Sequence, residues 1–259
     1  MNALKKIVYS QAIPAIGRLC HYKNKIVNVI YYHDIVKGAG DSFQKTNVEI
    51  FKQQMLYIAN NGYKTLRFDD LNDEAHLCYN SKSLVIAFDD GWASNCNEIY
   101  DFMKSLGLKY NIYLAIKEIG NNPDFLTWAQ VRKMHEEGFV GFGIHTYNHV
   151  NASDISLIDP TLEFDKANEI FEQELGYTPL DFCYPYGAYT ESSNRYLIEN
   201  TPYMRIYTSD LMYSYTKDGR VFFGRCGIKN EESMGIFKSK LKGYFNIWSV
   251  LLKIKKWIA

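Results

Sequence analysis

Residues 84–91 read Leu-Val-Ile-Ala-Phe-Asp-Asp-Gly, five apolar residues that stop on two carboxylates and a glycine. A continuous apolar run of this length, bounded by turn residues, predicts a strand buried on both faces, as in a parallel sheet. Adjacent carboxylates at a strand end point in different directions, so one can ligate a cation while the other stays free as a base. A plain solvated turn would use the same residues, because Asp and Gly are ordinary turn formers.

The same punctuation recurs on both sides of this stretch. Toward the N-terminus, Ile26–Tyr32 (IVNVIYY) predicts a strand stopping at His33-Asp34. A helical face of Phe51, Met55, Ile58 and Ala59 follows, closed by Gly62, and then a short strand over Lys64–Phe68. Toward the C-terminus, a helix over Asn97–Leu106 precedes a strand at Tyr110–Ile116. A helix over Trp128–Glu137 precedes a strand at Phe139–Ile144, which stops at His145-Thr-Tyr-Asn-His149. Thr161–Leu175 reads as a helix, Leu180–Tyr184 as a strand, Ser192–Asn200 as a helix and Arg205–Tyr207 as a short strand. Alternation of this kind predicts parallel strands joined by helical crossovers, either an open doubly wound sheet or a closed barrel. In both, chemistry sits at the carboxyl ends of the strands. With no internal repeat or long linker, the spacing predicts one catalytic domain over residues 26–234. Terminal segments 1–25 and 235–259 flank it.

Composition narrows the function classes. The 259 residues are 47% hydrophobic and 22% charged, enough to bury a full core and too apolar for a disordered chain. Lys+Arg 29 against Asp+Glu 29 gives a net charge of zero, which speaks against a general nucleic-acid binder. Five cysteines (Cys20, Cys78, Cys96, Cys183, Cys226) without CxxC spacing indicate neither a disulfide framework nor a zinc ribbon. No run of about 18 apolar residues exists to span a bilayer. Ile7–Ile16 follows two lysines as a signal peptide would, but Ser10, Gln11 and Pro14 interrupt it, so we expect a retained segment and a cytoplasmic protein.

His145 and His149 stand i, i+4, which brings two imidazoles together if the segment coils. Imidazole with carboxylate is a common ligand set for zinc or a similar divalent ion. His21, His76 and His135 have no partner motif and read as surface or capping residues.

Three segments taken in order are far more specific than any one. Ala87-Phe-Asp-Asp-Gly91, Gly143-Ile-His-Thr-Tyr-Asn-His149 and Phe182-Cys-Tyr-Pro-Tyr-Gly187 resemble the first three motifs of the polysaccharide deacetylase family, the NodB-homology domains of carbohydrate esterase family four. Leu126-Thr-Trp-Ala-Gln-Val131 fits the same pattern, and the resemblance runs from about Val29 to about Ile228. It implies a distorted (β/α) barrel of about seven parallel strands that removes acetyl groups from carbohydrates with one divalent metal, zinc foremost. Carried over by motif, Asp90, His145 and His149 match the metal ligands, Asp89 the catalytic base, and the backbone amide of Tyr186 the oxyanion contact. Tyr184 and Pro185 of the third motif, with Trp128, complete the candidate substrate contacts. Trp128 reads more readily as core than as a substrate contact, and the 21 tyrosines place some near the motifs by chance.

The chain departs from the family pattern at two points. Cys183 stands where many members have Arg, and Cys226-Gly-Ile-Lys229 stands where a late Leu-x-Ile-His supplies the general acid; no His follows His149. Tyr31-Tyr-His-Asp-Ile35 resembles the permuted arrangement of the deacetylases acting on poly-N-acetylglucosamine, which makes His33 the candidate acid. Arg225 is the candidate replacement for the absent Arg. The implied substrate is an N-acetylated sugar of a surface glycan or its precursor. The alternatives are a catalytically silent glycan-binding barrel, or an O-acetyl esterase or deformylase on a lipid-linked sugar.

Charge is unevenly placed. Residues 1–26 hold five basic residues and no acid, and residues 237–259 hold six lysines and no acid, so the body between them is acidic. On a helix, Phe237, Leu241, Tyr244, Phe245, Trp248, Leu251 and Leu252 form an apolar stripe flanked by Lys238, Lys242, Lys253 and Lys256. Leu4, Ile7, Val8, Ala12, Ala15, Ile16 and Leu19 form a second, beside Lys5, Lys6 and Arg18. Such faces suit peripheral contact with an anionic membrane, and equally suit packing on the outside of the barrel.

Overall fold

The computed structural model describes residues 8–20, 26–41, 43–72, 82–210 and 214–245. Among these residues eleven strands are formed: β1 (Asn28–Tyr32), β2 (Asp34–Val36), β3 (Lys45–Asn47), β4 (Lys64–Leu66), β5 (Ser83–Phe88), β6 (Tyr110–Leu114), β7 (Val140–Ile144), β8 (Asp181–Cys183), β9 (Arg205–Thr208), β10 (Tyr215–Lys217) and β11 (Arg220–Gly227). Seven of them close a parallel barrel in the order β1-β11-β9-β8-β7-β6-β5, with β5 returning to β1 through Asn28–Tyr32 against Leu84–Phe88. Of the two topologies left open by the sequence, the closed barrel is the one formed.

Seams in the ring follow from strand length. The outer edge of β5 is shared: β4 pairs with its first half and β6 only with Ala87 and Phe88. Buried Asn111 staples this junction, donating from Nδ2 to the carbonyls of Leu66 and Ile86 (2.9 and 3.2 Å) and accepting from Phe68 N–H (2.7 Å). The strand predicted over 64–68 is therefore a wedge beside the ring. The eight-residue β11, which completes the ring between β9 and β1, falls where no strand is predicted.

Side-chain parity sorts the core into two layers. Val29, Tyr31, Val85, Ala87, Tyr113, Cys183, Tyr207 and Phe223 form one buried cluster, while Ile30, Tyr32, Leu84, Ile86, Phe88, Ile112 and Leu114 belong to a second that includes the helices. The first set fills the barrel. Its alternation carries one step further to His33, Asp89 and Arg225, which therefore stand inside the barrel mouth.

Helices cover the outside. Val48–Asn60 is capped by the Asn47 side chain, and Trp128–Glu136 begins with a reciprocal Thr127/Gln130 capping box. The helix predicted over 97–106 is split into Ser94–Asn97 and Tyr100–Ser105, and that predicted over 161–175 starts as a π-turn at Thr161–Lys166.

The described parts of the terminal segments pack on the barrel. In the helix Met234–Leu241 and the residues after it, Phe237, Leu241 and Phe245 are buried; Phe245 packs with Ile13 and Cys226. Lys240, one of the six lysines, is fully buried and paired with Glu232 at 2.6 Å, and Tyr9 donates to the same carboxylate at 2.8 Å. The described half of the C-terminal apolar stripe thus faces the protein. Trp248, Leu251, Leu252, Lys253 and Lys256, like Leu4, Lys5, Lys6, Ile7, His21, His76 and Cys78, lie outside the described residues. Among the described residues no helix is long and apolar enough to cross a membrane.

Candidate active site

Strand β5 delivers two carboxylates to different partners by breaking its own geometry. Asp89 keeps the strand's course, its N–H bonded to Tyr32 O at 3.0 Å. Asp90 and Gly91 then turn with φ of +76° and +90°. That left-handed turn, unusual for a non-glycine residue, swings the Asp90 carboxylate away from Asp89.

Asp89 is gripped by Arg225 from β11, Nη1 to Oδ1 at 2.6 Å and Nη2 to Oδ2 at 2.9 Å. Arg225 is itself buried, donates from Nε to Thr208 O, and lies 4.1 Å from the Tyr31 ring centroid. Burial pushes the Asp89 carboxyl up, but Arg225 outweighs it with help from His145 and His33, so its pKa lies below the usual carboxylate range. His33 Nε2 stands 3.8 Å from Asp89 Oδ2, and its ring packs on Phe43 and Tyr31.

Asp90 faces the two histidines, with Oδ1 at 3.5 Å from His145 Nε2 and 3.2 Å from His149 Nε2. Burial raises the Asp90 pKa and the contact with His149, with His145 beside it, overcomes this, leaving the carboxyl strongly depressed. The His145 Nδ1–H donates to Cys183 O at 2.7 Å, which turns the Nε2 lone pair toward Asp90. Burial lowers the His145 pKa to about 4, so its imidazole is neutral at pH 7. For His149, burial lowers the pKa but the Asp90 contact prevails and raises it.

The i, i+4 spacing works without a helix. Thr146 and His149 both take positive φ (+61° and +57°), and the loop is tied to Glu163. Asn148 donates to both Glu163 carboxylate oxygens (2.9 and 2.7 Å), while Tyr147 N–H donates to Glu163 O. The His145 and His149 rings come to 4.9 Å.

A divalent cation fits this donor set. One carboxylate oxygen and two imidazole nitrogens lie within 4.8 Å of one another. Asp90 Oδ1 is buried with no hydrogen-bond partner, the state of an oxygen shaped for a ligand other than protein.

The site opens into a cleft of about 610 Å³ whose lining includes His33, Asp89, Asp90, His145, His149 and Tyr186. Tyr186 sits in a tight turn at φ +61°, 71% exposed, its ring 4.9 Å from His149. The Gly187 and Ala188 amides bond to Tyr184 O and Pro185 O, so the turn's own hydrogen bonds do not use the Tyr186 amide. Other candidates stand back: Pro185 is buried under this turn, Tyr184 is buried and donates to Asn194 Oδ1, and Arg225 acts from beneath Asp89. Trp128 does not line the cleft; it opens its helix and packs on the core. Trp92, Phe125 and Asn148 do line it, and none is singled out by the sequence reading.

The profile of the polysaccharide deacetylase family matches residues 76–204, which hold both carboxylates, both histidines and the Tyr186 turn. The chain carries a polysaccharide deacetylase domain. YxkH of Bacillus subtilis (strain 168), itself assigned to the polysaccharide deacetylases, is 27% identical over 171 residues. That alignment covers 64% of this chain and 58% of YxkH, so the match spans well under two thirds of that relative. Among solved structures, the Streptococcus pyogenes deacetylase PplD superposes with a TM-score of 0.73 at 18% identity, covering 85% of this chain and 99% of PplD. IcaB from Ammonifex degensii superposes with a TM-score of 0.67 at 17% identity, covering 86% and 98%. These likenesses establish the NodB-type barrel. His33 and Arg225 lie outside the matched stretch; β1 and β11, neighbours in the ring, bring them to it.

Proposed function

We propose that this deacetylase domain hydrolyses the N-acetyl group of an N-acetylated sugar, in a surface glycan or its precursor, with one divalent metal, zinc first among candidates. The observation that carries the reading is the placement of Asp89. It is an ionised carboxylate held rigidly by Arg225, beside a separate two-histidine, one-carboxylate cluster and within 3.8 Å of His33.

The division of labour follows from these positions. Asp90, His145 and His149 would hold the cation, which supplies Lewis-acid polarisation of the acetyl carbonyl and acidifies a water. Asp89, kept anionic by Arg225, accepts the proton of the attacking water. The Tyr186 amide supports a donor role toward the oxyanion, a type of contact that typically contributes about 2.7–4 kcal/mol. His33, across the mouth from the cluster, delivers a proton to the departing amine, without which an amide does not cleave.

Acetate release from a panel of N-acetylhexosamine glycans, nucleotide sugars and lipid-linked sugars, read by mass, tests the proposal. Turnover should vanish with a chelator and return with zinc. An O-acetyl esterase or deformylase would use the same residues; formate release marks the deformylase, and acetate release confined to an O-acetylated sugar added to the panel marks the esterase. A silent glycan-binding barrel would bind and release nothing.

Peripheral attachment to an anionic membrane on the cytoplasmic side extends this proposal. A groove of about 400 Å³ between the helices Ile13–Cys20 and Met234–Leu241 is lined by Arg18, Lys238 and Lys242, and Leu19 beside it is 81% exposed. None of Arg18, Lys238 and Lys242 lines the catalytic cleft, so lipid contact there leaves the cleft lining untouched.

A further inference from the structure

Asp90 has two carboxylate oxygens with opposite fates. Oδ1, buried and without a hydrogen-bond partner, faces the two histidines. Oδ2 accepts a hydrogen bond from Trp92 Nε1 at 3.0 Å. A carboxylate rotates freely about its last bond unless one oxygen is tied, and tying Oδ2 fixes which oxygen a cation meets.

The indole is itself held in place. Its ring stacks on Phe125 at 4.4 Å between centroids and 24° between planes, and the backbones of the two residues bridge antiparallel. Ala93 N–H donates to Asp124 O and Leu126 N–H to Gly91 O, both at 2.9 Å, so the turn after Asp90 is stitched to the loop that carries Phe125. The donor direction is therefore set by a stack and the two backbone hydrogen bonds of that bridge, not by a free rotamer.

We infer that Trp92 is a positioning residue for the cation site: its indole N–H locks Asp90 so that Oδ1 alone is presented to the metal. This rests on the reading of Asp90 as a metal ligand, and the experiment separates the two. Zinc affinity is measured by competition with a chromophoric chelator, for the full chain and three variants. Asp90→Ala tests the ligand reading. Trp92→Phe keeps an aromatic stack on Phe125 and removes only the donor, whereas Phe125→Leu loosens the stack and keeps the donor. The expected result is loss of tight zinc binding in Asp90→Ala, affinity weakened about 10- to 100-fold in Trp92→Phe, and a smaller loss in Phe125→Leu, which keeps the donor but loosens its direction. Wild-type zinc affinity in Trp92→Phe while Asp90→Ala has lost it overturns the role of Trp92 alone; wild-type affinity in Asp90→Ala overturns the ligand reading.

A measurement on the unmodified protein guards against a variant that fails to fold. In 15N–1H spectra, the Trp92 indole N–H should shift on zinc titration and exchange slowly with solvent. An indole signal unmoved at zinc saturation also overturns the inference.

Discussion

Arg225 and Asp89 are 136 residues apart in sequence and share two hydrogen bonds, at 2.6 and 2.9 Å, inside the barrel mouth. Cys183, where many family members have Arg, is buried in the same interior layer. The guanidinium thus reaches the base from β11, one strand beyond β9, the neighbour of the strand that carries Cys183. A buried carboxylate needs such a partner wherever the chain can supply it.

Removing the partner should be costly in a pH-dependent way. Arg225→Met leaves Asp89 buried and unpaired, at a cost of about 3–5 kcal/mol at neutral pH. Asp89 has a depressed pKa, so the stability it contributes is present above the ordinary carboxylate pKa and is lost as pH falls through the folded-state value. The Tm difference between wild type and variant should be largest near pH 7 and shrink in acid. The acid limb of kcat/KM should move to higher pH in the variant. A pH-independent Tm difference with an unmoved limb contradicts the pairing.

Base and acid should separate from cation binding. Asp89→Asn and His33→Ala should each retain zinc and lose about 10²–10⁴-fold in turnover on an amide substrate. For His33→Ala the loss should largely disappear on an aryl acetate, whose leaving group needs no proton. Equal losses on both substrates would remove His33 from the role of acid.

Much of this site was legible because its chemistry is local. Asp89-Asp90 follows an apolar run, and His145 and His149 follow another, so strand-end punctuation marks all four. Arg225 was legible only as a candidate: its strand, Arg220–Gly227, carries two glycines and two arginines and shows no clean apolar run. Trp92 and Glu163 were illegible for a different reason. Each acts through a hydrogen bond to a neighbour whose position depends on a positive-φ turn, at Asp90 and in the 146–149 loop, and no spacing rule encodes such turns for non-glycine residues.

Glu163 offers a check on that loop. It is buried, and its carboxylate takes both donors of Asn148, next to His149. Glu163→Ala leaves those donors unpaired, at about 1–3 kcal/mol, and frees the segment that carries one candidate ligand. Zinc affinity should fall while the intrinsic proton-transfer steps, compared at saturating zinc, change little. Loss of kcat that saturating zinc does not restore would point to a direct role in the reaction.

Membrane attachment is the remaining claim with a decisive outcome. Phe237, Leu241 and Phe245 are spent on the barrel, so affinity would have to come from Arg18, Lys238, Lys242 and exposed Leu19 and Ile16. Basic residues near an anionic leaflet contribute about 1 kcal/mol each, and the interaction is screened by salt over about 10 Å at 0.1 M. The full chain should float with vesicles containing phosphatidylglycerol, remain behind with phosphatidylcholine alone, and release at 1 M salt. Reversing Arg18, Lys238 and Lys242 to Glu should weaken partitioning by about 100-fold or more by that arithmetic, while acetate release from a soluble substrate stays unchanged because none of the three lines the cleft. A protein that stays at the bottom of the gradient with every lipid mixture ends the membrane proposal and leaves the basic termini as counter-charges for the acidic body.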